Sequence, residues 1–81
     1  MTTTALHRAR EAHQAAKAAL THTEIAIAAV KLAQVEHRKL YHLAHPPAHF
    51  AEALDRLDVQ RCGDAAYYHR CRIQLQFLEG S

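Results

Sequence analysis

The position of its helix breakers constrains this chain more than any other feature. Its two prolines stand side by side as Pro46-Pro47, and its two glycines are Gly63 and Gly80. Everything before Pro46 is free of both residue types. Proline removes a backbone donor and clashes with the preceding turn. It also pushes the residue before it out of the α region. The unbroken stretches are dominated by Ala, Leu, Gln, Glu, Lys and Arg, the strong helix formers. The expected fold is therefore all-α: two long antiparallel helices joined at Pro46-Pro47, a helical hairpin in one domain, 1–81. Helix 1 is expected over about 3–44, ending near Ala44, with a turn at 45–47 and helix 2 over about 47–78. Thr3 or Thr4 suits the N-cap, Pro47 the first turn of helix 2, and Gly80 the position just past its end.

Two local signals compete with this reading. Thr21 and Glu24 match a capping box, which would start a separate helix there. Against that, the charged residues Arg10, Lys17, Glu24, Lys31 and Arg38 recur every seven residues straight through the segment. A continuous helix keeps such a phase. Gly63-Asp64 would suit a helix end, but a glycine costs only about 1 kcal/mol inside a helix. Gly63 also falls in line with His49, Arg56 and Arg70, a polar face on which a glycine is tolerated.

Each helix carries two apolar stripes. The first stripe of helix 1 is Leu6, Ala9, His13, Ala16, Leu20, Thr23, Ile27, Val30, Gln34, His37 and Tyr41. In helix 2 it is Phe50, Leu54, Leu57, Arg61, Asp64, Tyr68, Cys71, Leu75 and Leu78, with the 4-3 alternation of a coiled-coil seam. The second stripes are Ala18, Ile25, Ala29, Leu32, Leu40 and Leu43 on helix 1, and Val59, Cys62, Ala66, Ile73 and Phe77 on helix 2, the latter interrupted by Arg70. One hairpin satisfies one stripe per helix. The other asks for another chain, since contiguous exposed apolar surface marks interaction sites. The expectation is a homodimer forming an antiparallel bundle. Leu20, Ile27, Val30, Ala66, Ile73 and Phe77 are its interface candidates. A turn near Pro46 would set Glu36 near Arg61 as a register-fixing bridge, and His22 beside His69. Arg61 and Asp64 have the spacing of a pair on one helix face.

Signals for chemistry are sparse. The only serine is Ser81, and neither a glycine-rich phosphate loop nor Cys-x-x-Cys occurs, so no serine triad or zinc ribbon is written here. His42, His45 and His49 gather around the prolines, and three imidazoles at one hairpin tip have the chemistry of an open zinc site. The plainer expectation is a solvated turn. Cys62 and Cys71 would stand roughly 13 Å apart on one helix, beyond disulfide reach. With no secretory signal, the expected location is the cytoplasm, and no segment is apolar enough to span a membrane. No cofactor is implied.

The functional expectation is a non-enzymatic interaction module that binds a larger protein. Tyr67, Arg70 and Arg72 are its candidate partner contacts, since Tyr and Arg are enriched at binding hot spots. The Ala, Arg and His bias fits a GC-rich bacterial or phage gene. The size is that of phage-encoded inhibitors of host defence, anti-CRISPR proteins among them, an analogy of class alone. One alternative is nucleic-acid binding through Arg8, Arg10, Lys17, Arg70 and Arg72, but the formal net charge is only +2, too mild to imply it. The other is a metal- or pH-responsive role for the eight histidines, whose side chain titrates near physiological pH.

Overall fold

The computed structural model describes residues 2–42 and 47–80, with side chains from residue 4. The described chain forms two helices, α1 (Thr2–Tyr41) and α2 (Ala48–Gly80). They run antiparallel along a rod of 61 × 16 × 15 Å. A helix as long as α1 spans about 60 Å, so α1 sets the length of the molecule.

α1 runs through Thr21–Glu24 without a break. The hydroxyls there are used inside the helix: Thr21 Oγ1 donates to the Lys17 carbonyl at 2.9 Å. Such back-bonding removes the competing N-cap role of a threonine. Thr3 and Thr4 likewise lie within α1, which has already begun at Thr2, so neither is the boundary cap.

The end of α1 comes earlier than the prolines suggested. Tyr41 is its last residue, and His42 takes a φ of 52°. The His42 N–H donates to the Arg38 carbonyl at 2.8 Å, which is the left-handed C-cap arrangement. Histidine visits that region more readily than most side chains. Arg38 and Lys39 in the last turn complement the negative end of the helix dipole. The expected end at Ala44, and Leu43, His45 and Pro46 with it, lie outside the described residues. Pro47 directly precedes α2, and its carbonyl accepts from the Phe50 N–H at 3.1 Å. α2 passes through Gly63, which is exposed with open space where a side chain would stand, and continues to Gly80.

The first stripe of each helix forms the seam. On α1, Ala9, Ala16, Thr23 and Ile27 are buried, and Leu6, His13, Leu20, Val30, Gln34 and His37 are half-buried. On α2, Cys71 is buried and Phe50, Leu54, Leu57, Asp64, Tyr68, Leu75 and Leu78 are half-buried. Only Tyr41 and Arg61 of the two stripes are exposed. A stripe with a seven-residue repeat stays against its partner over this length when the helices coil about each other.

A polar contact fixes the register at mid-seam. Thr23, 3% exposed, has Oγ1 2.6 Å from Asp64 Oδ2 and 3.1 Å from the Ala19 carbonyl. Its single proton serves one acceptor at a time, and the charge-assisted bond to the carboxylate is the shorter and stronger. Thr23–Asp64 and the ring contact His37–Phe50 both place residue n of α1 opposite residue 87 − n of α2.

That register corrects three expected pairings. Glu36 lies opposite the first turn of α2, so it does not bridge to Arg61. Asp64 is turned to Thr23, and Arg61 pairs instead with Asp58 at 3.4 Å. His22 and His69 project on different sides of the rod: His22 lines a groove with Leu57 and Gln60, whereas His69 Nε2 lies 3.3 Å from Arg72.

Candidate interaction surface

With the seam assigned, each remaining row of side chains has a defined place around the rod. On one side of the seam, α1 presents Arg10, Lys17, Glu24, Lys31 and Arg38, all exposed. Arg10 crosses to Glu79 of α2 at 3.6 Å, so this side of the rod is charged on both helices. On the other side, α1 presents Ala5, Ala12, Ala19, Ala26 and Ala33. Two open grooves between the helices lie here. One is lined by Ala19, His22, Ala26 and Gln60, the other by Ala5, Arg8, Ala12 and Gln74.

The second apolar stripes lie on the outer edges, away from the seam. Ile25 and Leu32 are each 61% exposed, Val59 is 74%, Ile73 is 57% and Phe77 is 75%. Ala18, Ala29, Cys62 and Ala66 on the same edges are also exposed. Among the described residues, the buried ones are small or medium in size, and no large side chain is completely enclosed. The accessible surface is 6256 Å², whereas a compact monomer of this mass would expose about 4,900 Å². The excess, about 1,400 Å², is larger than the roughly 800 Å² that each partner contributes to a standard interface.

The expected interface residues divide into two groups. Leu20, Ile27 and Val30 are taken into the hairpin's own seam, because they belong to the stripe with the 4-3 alternation. Ala66, Ile73 and Phe77 are exposed on the outside of α2. The expected partner contacts Tyr67, Arg70 and Arg72 are exposed as well. The Arg70 guanidinium carbon sits 5.8 Å from the centre of the Tyr67 ring, in range of a cation–π attraction. A hydrogen bond with the Cys71 thiol raises the Tyr67 phenol above its ordinary 10.0, the charge interaction with Cys71 adds to this, and Arg70 pulls it the other way.

Among the described residues the histidines are spread along the rod. His42 and His49 are exposed, His49 packs its ring 4.3 Å from that of Phe50, and His45 lies outside the described residues. Among the described residues, no three His, Cys, Asp or Glu side chains are grouped to hold a metal ion. Two histidines belong to the seam instead. His13 stacks on Tyr68 at 5.0 Å, and His37 packs between Tyr41 and Phe50. His13 Nε2 and His37 Nδ1 are buried without a hydrogen-bond partner. Their place in the 4-3 stripe was the signal for this seam role.

Cys62 and Cys71 are free thiols, the first exposed and the second buried. Among the described residues, no helix is long and apolar enough to cross a membrane. No known protein family, curated protein or solved structure matches this chain.

Proposed function

We infer that this chain is a non-enzymatic interaction module that acts by covering part of a larger protein, as an inhibitor or adaptor does. The observation that carries this reading is the bare apolar edge of α2, where Val59, Ile73 and Phe77 are each more than half exposed. Large apolar side chains left in water along one edge are the mark of a protein contact. Tyr67 and Arg70 stand beside that edge and supply hot-spot chemistry. The size and composition suit a bacterial or phage-encoded inhibitor, for example of a host defence system. Two unpaired thiols on one helix suit a reducing cytoplasm.

The test is affinity capture with the immobilised chain, comparing wild type with Val59→Glu/Ile73→Glu. Both positions are exposed, so the variant keeps its helix content by circular dichroism. The reading expects a protein of defined mass retained by wild type and lost from the variant. Identical eluates from the two would overturn it.

A further inference from the structure

A different edge, on α1, points to a second copy of this chain. Between the alanine row and the outer edge of α1 runs the exposed row Arg8, Ala15, His22, Ala29 and Glu36. Arg8 and His22 open onto the two grooves described above. This row is flanked on one side by Ala12, Ala19, Ala26 and Ala33 and on the other by Ala18, Ile25 and Leu32, with Glu11 and Lys39 at that row's ends. It is the centre of a broad apolar arc that α2 leaves uncovered. Within the row itself the charged ends are opposite in sign, Arg8 near the start of α1 and Glu36 near its end. Neither forms an ion pair within the described hairpin.

We propose that α1 packs antiparallel against α1 of a second copy along this row, about a two-fold axis at His22, with Arg8 of each chain facing Glu36 of the other. Such a contact places residue n opposite residue 44 − n. Ala15 then faces the second copy's Ala29, and His22 lies on the axis opposite itself. In the flanking rows, Ala19 meets Ala26 and Ile25 meets Ala18, so small side chains receive the backbone or the large ones. Farther out, Leu32 meets the aliphatic stem of Glu11, whose carboxylate is held by His7. The two charge contacts are about 42 Å apart, one at each end of the interface. Alanine at the centre lets the two helices approach closely.

Charge, and which charges are already paired, separate this face from the others. The row Arg10, Lys17, Glu24, Lys31 and Arg38 has the same seven-residue spacing. Folded back on itself antiparallel, it would oppose Arg10 to Arg38, Lys17 to Lys31 and Glu24 to itself, all like charges. On α2, the row His49, Arg56, Gly63, Arg70 and Phe77 would oppose Arg56 to Arg70. Like charges across an interface suppress association. The row through His22 is complementary to its own reverse. So are Glu11, Ala18, Ile25, Leu32 and Lys39 on α1 and Asp58, Ala65 and Arg72 on α2. There, however, Glu11 is already held by His7 at 3.0 Å and Asp58 by Arg61 at 3.4 Å, whereas Arg8 and Glu36 both await a partner. This proposal adds an identified partner to the interaction-module reading and leaves the α2 edge free for the larger protein.

The test is a charge-swap cycle read by sedimentation equilibrium of the untagged full chain at micromolar concentration. Wild type is expected at twice 9.1 kDa. Arg8→Glu alone and Glu36→Arg alone each create like-charge contacts at both ends, and each is expected to dissociate about tenfold or more readily. Mixing these two single variants restores opposite charges at both contacts, so the mixture is expected to recover the dimer that neither forms alone. The double variant within one chain recovers it too. A monomeric wild type overturns the proposal, as does a dimer indifferent to the single swaps or a mixture that fails to associate. The interaction-module reading stands or falls separately, on Val59→Glu/Ile73→Glu, which lies outside this contact.

Discussion

The two apolar stripes of α2 differ in a way that reverses the simplest expectation from hydrophobicity. The stripe that forms the seam contains Arg61 and Asp64, and its partner stripe on α1 contains His13, Thr23, Gln34 and His37. The stripe with Val59, Ile73 and Phe77 is left in water. Spacing explains the difference. Only the first stripe keeps the unbroken 4-3 alternation that follows a partner helix over the full length of the rod. The second is interrupted at Arg70. A seam thus accepts polar members at intervals, provided the period is kept. Thr23–Asp64 turns one such layer into a register pin.

The sharpest way to break this comparison is a matched pair of substitutions, Ile27→Ala in the seam and Ile73→Ala on the outer edge. Ile27 is 5% exposed and Ile73 57%. Removing a buried Ile side chain costs about 2–4 kcal/mol, whereas an exposed one changes stability by about 0.5 kcal/mol or less. Urea midpoints of the two variants check the difference. Equal losses would mean that the outer stripe is also part of the folded core.

The next effect concerns the register pin. Thr23→Val removes the hydroxyl and leaves Asp64 facing an apolar group. Hydrogen bonds to charged groups contribute about 1.5–3 kcal/mol, so a loss of that order is expected in chemical denaturation. Little change would show that water replaces the threonine at Asp64.

Two stabilising changes follow, each smaller. His42→Gly relieves the left-handed backbone, which costs a non-glycine residue roughly 1–2 kcal/mol, and should raise the melting temperature. Gly63→Ala fills open space on the surface of α2 and should add about 1 kcal/mol. The smallest effect is at Tyr67. Its phenol should ionise above 10.0, and Cys71→Ala should return it toward that value in an ultraviolet absorbance titration.

The hairpin, its two helices and the residues of the seam follow from breaker positions and the seven-residue period. Gly63 as a tolerated helix residue and Thr21–Glu24 as helix interior follow from the same charge phase. The point where α1 ends did not, because a histidine in the left-handed region sends no signal as plain as a proline. Cross-chain pairs were also out of reach. They depend on the register, and counting from the prolines displaced Glu36 and His22 from their true neighbours. The surface was visible only in part. Ile73 and Phe77 stood out as spare apolar residues, but Leu20, Ile27 and Val30 belong to the stripe that the hairpin itself uses. The opposed charges of Arg8 and Glu36 gained meaning only when the seam assigned them to one uncovered row.

The central claim is that the apolar surface outside the seam is built for contact with other chains, beginning with a second copy. Light scattering of the untagged wild-type chain, diluted through the micromolar range, tests it most directly. The account predicts a species of twice 9.1 kDa that dissociates on dilution, and a single species of 9.1 kDa at every concentration would contradict it.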